Sequence, residues 1–189
     1  MELLSGVFSA FGLSASAGLN AYIPLLIVSL LAKFTDLINL KAPWDTLTSW
    51  WVIGAIVVLG TVEFFADKAP AVNHVNDIIQ SFIRPAAGAV VFAANADVLT
   101  DISPILSIIA GLLVAGSVHT VKSVAVRPAL TATTAGAANT PVSIAEDVIS
   151  TFLSILAVLI PIIIGIILVL AVTTFIWWRW RKFNAEQRV

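Results

Sequence analysis

The sequence contains no cysteine, and it is poor in charged residues. Without thiols the chain cannot form disulfides, use thiolate catalysis or build cysteine-ligated zinc or iron–sulfur sites. Charged residues make up 11% of the 189 residues, whereas a soluble domain carries about 25%. Ten Lys and Arg residues against eleven Asp and Glu residues leave a net charge of −1, which excludes nucleic-acid binding through a large basic surface.

Apolar residues are present in excess. They form 59% of the sequence, and the mean hydropathy is +1.02. A chain of this length makes one domain, and one small core could not hide so much apolar surface from water. The composition therefore predicts an integral membrane protein, with residues 1–178 as a single transmembrane helical domain and residues 179–189 as a basic cytoplasmic tail.

Apolar runs recur along the chain at lengths typical of membrane helices, which need about 20 mostly apolar residues. We predict an all-α polytopic membrane bundle of about five spans. The predicted spans are residues 5–32 and 50–65, a third helix from about residues 74–77 to 95 whose apolar part begins at Phe82, and residues 102–126 and 148–178. The third is the shortest, since its apolar part has only about 15 residues. Trp44, Trp50 and Trp51 fit an aromatic belt at a membrane interface.

Glycine, proline and other small residues predict where these helices are irregular. The first run is expected to break between Gly18 and Pro24, and the third to kink or break at Arg84-Pro85. Residues 127–140, rich in Ala, Thr and Gly, are expected to form a loop. Small residues also recur at four-residue spacing, which favours close helix packing within the chain or a homo-oligomer. These pairs are Ser14/Gly18, Ala17/Ala21, Ala89/Ala93 and Gly111/Ala115.

The two ends of the chain bear on its topology. Ala15-Ser16-Ala17 has the small residues of a signal-peptide cleavage site, but the only early charge is Glu2 and the apolar run continues beyond it. A signal peptide begins with positive charge, so we read residues 5–32 as a retained membrane helix. The basic residues Arg179, Arg181, Lys182 and Arg188 predict a cytoplasmic C-terminus.

Two stretches of sequence match at an offset of 70 residues, which indicates an internal repeat. Residues 77–83, DIIQSFI, pair with residues 147–153, DVISTFL, and Pro70 and Pro141 lie just upstream. Duplicated halves with sites at broken helices are typical of transporters. Chance similarity between two apolar helix starts is the alternative interpretation.

Ionisable residues concentrate at one side of the predicted bundle, where charge within or beside a span usually has a function. Glu63 and Asp67 are four residues apart and share a helix face, so they repel each other unless a cation lies nearby. Glu146 and Asp147 are candidate counter-charges for Lys122 and Arg127. The candidate ligand-binding residues are Asn20, Glu63, Asp67, Lys68, His74, Asp77, Arg84, His119, Lys122, Arg127 and Asp147.

Several strings in the chain resemble an uncharacterised family of small bacterial multi-pass membrane proteins, known as a domain of unknown function. They are SAGLNAYIPLL from Ser16, EFFADKAP from Glu63, HVND from His74 and FIRPAAGA from Phe82, together with Gly116, His119, Lys122, Arg127 and Glu146-Asp147. The resemblance covers roughly residues 10–175. It implies a multi-pass protein of the bacterial cytoplasmic (inner) membrane, and it brings no known activity, ligand or catalytic residue.

Three functions fit these residues. The first is a transporter or permease for a small anionic or lipid-like solute, with the solute on Arg84, Lys122 and Arg127 and a proton on the acids or histidines. The second is a membrane enzyme acting on a lipid phosphate, with a metal at Glu63 and Asp67, although no metal or nucleophile motif matches. The third is a structural or assembly subunit. We predict a transporter, with no cofactor and no metal site, and keep the structural subunit and the enzyme as alternatives.

Overall fold

The computed structural model describes residues 2–68, 70–99 and 103–186. These residues are helical apart from short links, and none of them lies in a β-strand. The helices are α1 (Glu2–Leu19), α2 (Tyr22–Phe34), α3 (Trp50–Lys68), α4 (Pro70–Leu99), α5 (Pro104–Thr120), α6 (Arg127–Thr134), α7 (Asn139–Leu159) and α8 (Pro161–Glu186). A short 3-10 helix covers Trp44–Thr48, and a π-helical stretch, Val121–Val126, joins α5 to α6. The predicted all-α class is confirmed.

Four stretches are long and apolar enough to cross a membrane: Trp50–Lys68, Val75–Asn95, Pro104–Thr134 and Asn139–Leu159. Their large apolar side chains, such as Val58, Phe65 and Phe152, point outward and are more than half exposed. Most of the buried positions among the described residues are instead small or polar, as at Ser14 and Ala115. Such a bundle suits lipid, where close packing rather than hydrophobic burial joins the helices. The protein is therefore a multi-pass membrane protein.

The first predicted span is two helices rather than one. The chain breaks at Asn20 and Ala21, inside the predicted Gly18–Pro24 region. α1 runs antiparallel to α7, because Asn20 contacts Asp147 while Ser16 contacts Ser154. α2 turns back, and its 13 residues extend only about 20 Å at 1.5 Å per residue. It is too short to cross a hydrocarbon core of about 30 Å.

Three other boundaries differ from the prediction. α4 continues through Arg84-Pro85 without a break, as membrane helices tolerate proline where neighbouring helices pack closely. The predicted loop 127–140 is largely helical and turns only at residues 135–138. The predicted fifth span is interrupted at Ile160, because the residue before a proline disfavours the helical conformation.

The helices that carry the predicted repeat, α4 and α7, have similar surroundings. Both run antiparallel to α1, because Ser14 of α1 donates to the Gly88 carbonyl of α4 at 3.2 Å while Phe11 of α1 packs against Phe92 of α4. Ser81 and Thr151, which are 70 residues apart, each donate to the carbonyl four residues earlier, at 2.9 and 2.8 Å. The internal repeat itself stays a prediction.

Small residues let α1, α4 and α5 approach closely. Ser14 donates to the Gly111 carbonyl at 2.8 Å. A Cβ atom added at Gly111 would overlap the Gly88 carbonyl and lie 2.6 Å from the Phe92 Cβ. The predicted small-residue spacing therefore serves packing within the chain.

Replacing Gly111 by alanine should lower the free energy of unfolding by about 1–3 kcal/mol, because overpacking forces the helices apart. For a chain of this size each kcal/mol lowers Tm by roughly 2–4 °C. Gly54→Ala is the matched control, since a Cβ at Gly54 meets no atom within 4 Å. Thermal unfolding in detergent tests the pair, and equal Tm values would contradict the packing argument.

Candidate functional site

Most of the predicted site residues meet at one end of the bundle, where α3 and α5 end and α4 and α7 begin. We call this set the charge cluster. It comprises Glu63, Asp67, Lys68, Arg84, His119, Lys122, Arg127, Glu146 and Asp147. Four acids face four permanent cations, and most of these side chains are buried within the candidate spans. Because an unpaired charge there would be very costly, their pairing governs both stability and chemistry.

Glu63 and Arg84 form the deepest pair. The Arg84 Nη2 donates to Glu63 Oε1 at 2.9 Å, and both side chains are only 1% exposed. Arg84 Nη1 lies 3.4 Å from His119 Nδ1, and Ser81 Oγ lies 3.2 Å from His119 Nε2. Since a guanidinium can only donate, His119 Nδ1 must accept, which requires a neutral imidazole with its hydrogen on Nε2.

A second group surrounds Asp67. Arg127 Nη2 donates to both Asp67 oxygens, at 2.8 and 3.0 Å, and Ser143 Oγ also donates to Asp67. Glu146 Oε2 lies 2.6 Å from Lys122 Nζ and 3.4 Å from Arg127 Nη2. Glu146 therefore bridges two cations. The predicted counter-charge role of Glu146 agrees with this geometry, whereas Asp147, predicted to act in the same way, pairs with Lys68 instead.

The π segment explains how Lys122 and Arg127 reach the same carboxylate. In an α-helix, residues five apart point about 140° away from each other. Here the Arg127 backbone N–H bonds to the Lys122 carbonyl, five residues earlier. This wider turn brings positions five apart onto one side, and such bulges occur frequently at functional sites.

Asn20, Lys68 and Asp147 form the rim of the charge cluster. Lys68 Nζ lies 2.6 Å from Asp147 Oδ2, and both side chains are partly exposed. Asn20 Nδ2 donates to Asp147 Oδ1 at 2.9 Å. The Asn20 Oδ1 accepts from the backbone N–H groups of Tyr22 and Ile23, so it also caps α2. Asn20 thus ties the break between α1 and α2 to the charge cluster.

Two predicted residues stand apart. Asp77 is half-buried and close enough to Arg127 for an electrostatic interaction, but it forms no ion pair with another described residue. His74 lies on α4, and its side chain is outside the described residues. The predicted stripe of His74, Asp77, Ser81 and Arg84 is therefore traced only from Asp77 onward.

Sequence reasoning missed the hydroxyl groups of α7. Ser143, Ser150 and Ser154 are fully buried on the same helix face as Glu146. Ser16 of α1 lies 2.7 Å from the hydroxyls of both Ser150 and Ser154. The signal was available, because these serines recur at helical spacing with Glu146, at the start of the fifth predicted span and just before it. The interior of the bundle is therefore polar well beyond the charge cluster.

A cavity of about 340 Å³ lies at the rim. Asp67 and Lys68 border it on one side, and the turn between α6 and α7 borders it on the other. Ala135, with φ 50°, and Gly136, with φ 85°, shape this turn through left-handed backbone. The cavity therefore leaves space for a small ligand directly beside Asp67 and Lys68.

The geometry gives no support to the metal-dependent enzyme hypothesis. Glu63 and Asp67 face arginines, and no three His, Asp or Glu side chains of the described residues meet in a way that could hold a metal ion. The described arrangement is one of ion pairs rather than of metal ligands.

The fold and the charge cluster define a polytopic α-helical membrane protein with paired charges buried between its spans. Residues 7–181 match the family model described as Domain of unknown function (DUF4126). The chain belongs to this family, whose description names no activity, as the sequence resemblance predicts. No curated protein and no solved structure matches the chain.

Proposed function

We propose that the protein is a membrane transporter that carries a small anionic or lipid-like solute through a site at the charge cluster. The observation that carries this proposal is the burial of both charge signs inside the candidate spans, beside a cavity at the rim. Charges within spans are costly and usually mark ion or substrate pathways. A packed bundle held by apolar and small residues would not need them.

The ion pairs supply a mechanism for reversible binding. An anion in the rim cavity lies beside Asp67 and Lys68, whose partners are Arg127 and Asp147. It competes with these carboxylates for the two cations, because phosphate and carboxylate make the same charge-assisted hydrogen bonds. Release of the anion lets the original pairs re-form, so the empty carrier keeps no unpaired charge.

Uptake into liposomes that contain the purified protein tests the proposal. The probes are labelled inorganic phosphate, labelled acetate and a fluorescent short-chain phospholipid whose flipping is measured by external quenching. We expect at least one probe to move, and Arg127→Gln or Asp67→Asn to slow it about tenfold, which corresponds to about 1.4 kcal/mol.

Arg179→Gln is the control, because Arg179 is exposed on α8 and far along the chain from the charge cluster. Its rate should equal that of the unmodified protein. Rates that are unchanged by both cluster substitutions would show that the charge cluster does not bind the solute.

A second candidate function is a structural or assembly subunit. It is favoured by the fact that each permanent cation of the charge cluster pairs with an acid of the same chain. On this hypothesis no probe moves, and neutralising both members of a pair leaves the protein stable and its host complex intact.

A further inference from the structure

The residues of the charge cluster differ in how many of their polar atoms have a hydrogen-bond partner. Arg127 contacts two carboxylates, and Lys122 bonds to Glu146 and to the Leu19 carbonyl at 3.2 Å. Glu63, by contrast, uses only one oxygen. Its Oε2 is buried, and no described residue offers it a hydrogen bond. Buried polar atoms are nearly always hydrogen-bonded, so this oxygen has room for a proton.

Asp67 differs from Glu63 in this respect. Both Asp67 oxygens accept from Arg127, and one also accepts from Ser143. Protonating Asp67 would therefore break bonds that are already made. Protonating Glu63 at Oε2 leaves its bond from Arg84 to Oε1 in place. Glu63 is thus the better proton acceptor of the two.

A row of polar side chains on α4 leads to Glu63. Asn76, Gln80 and Arg84 follow each other at four-residue spacing, about 6 Å apart along the helix. All three are more than nine-tenths buried. Each has one buried atom without a hydrogen-bond partner among the described residues, namely Asn76 Nδ2, Gln80 Oε1 and Arg84 Nε. We call these three residues the α4 row.

Resting on the transport function proposed above, we infer that Glu63 carries the coupling proton and that the α4 row is its access path. A proton from bulk water adds to Glu63 Oε2 and forms an O–H bond. The carboxylate becomes neutral, so the positive charge of Arg84 is no longer compensated and the charge cluster attracts the anion in the rim cavity more strongly. Loss of the proton on the other side of the membrane restores the Glu63–Arg84 pair.

The other groups around Glu63 fit this role. Arg84 on α4 and Lys122 on the π segment bring positive charge, Asp67 on α3 brings negative charge, and Tyr22 on α2 is close enough to interact. His119 on α5 faces Arg84 with its unprotonated nitrogen. The α7 acids are already occupied, since Glu146 holds Lys122 and Asp147 holds Lys68. Asp77 on α4 also has one buried oxygen without a partner among the described residues. Glu63 differs from it because Glu63 combines a free buried oxygen with an ion pair to a single cation, Arg84.

Infrared difference spectroscopy of the purified protein in lipid tests the inference without any transported solute. Acidification from neutral to mildly acid pH should produce the carbonyl band of a protonated, buried carboxylic acid. We expect Glu63→Gln to abolish this band and Glu63→Asp to shift it. Gln80→Leu should slow its appearance after a pH jump, because it interrupts the α4 row.

Asp45→Asn is the control, since Asp45 is exposed beyond the opposite end of α3. It should leave the band unchanged. A band that persists in Glu63→Gln, or no band in the unmodified protein, would overturn the assignment. The spectra report proton binding alone, so an intact band with no flux of any probe would instead count against the transport function.

Discussion

Replacing Arg84 by methionine is expected to cost about 3–5 kcal/mol of folding free energy, because it leaves Glu63 buried without its cation. Both side chains are 1% exposed, so water cannot replace the lost partner. Methionine fills much of the space of the arginine stem, and hence the loss reports charge rather than a cavity. Equilibrium unfolding in mixed micelles measures the change.

The double variant Arg84→Met with Glu63→Gln separates charge from packing. Removing both charges should recover most of the lost stability, since a buried pair often contributes little beyond the neutral pair that replaces it. The double-mutant cycle gives the coupling energy directly. Arg179→Met, at an exposed position, should change stability by less than about 0.5 kcal/mol. A loss at Arg84 no larger than this would contradict the buried-pair description.

The sequence predicts where the charges lie but not how they pair. Charged residues near the ends of four predicted spans must find partners, because isolated charges are not tolerated in lipid. The choice of partner depends on helix rotation. Glu146 and Asp147 are consecutive and point about 100° apart on α7, so Glu146 faces Lys122 while Asp147 faces Lys68. Sequence spacing alone does not fix that rotation.

The helix boundaries, like the charges, are only partly predictable from the sequence. The break in the first apolar run is predictable, since Asn20 is a strong cap and Gly18 and Pro24 flank it. The reversal of direction at Asn20 is not predictable, because it depends on the contact with Asp147, 127 positions away. At Pro85 the local sequence favours a break, but α4 is continuous. Close packing around Gly88 keeps the helix intact there.

The π segment is the feature that is hardest to predict from the sequence. It leads to the second prediction with a large expected effect. Inserting an alanine after Val124, which is 70% exposed, adds one residue between Lys122 and Arg127 beyond the five that the wide turn accommodates. Arg127 would then rotate by about 100° relative to Lys122 and lose Asp67. We expect a loss of about 3–5 kcal/mol, because Asp67 is left buried and unpaired.

The matched control is Val124→Ala, which keeps the residue count and should cost less than about 0.5 kcal/mol at this exposed site. Adding Asp67→Asn to the insertion variant should recover part of the stability, since it removes the uncompensated charge. Unfolding in mixed micelles compares the three proteins. If the insertion variant is as stable as Val124→Ala, the π turn does not position Arg127. If it is destabilised and Asp67→Asn restores it, the turn exists to bring two cations five residues apart to the carboxylates of α3 and α7.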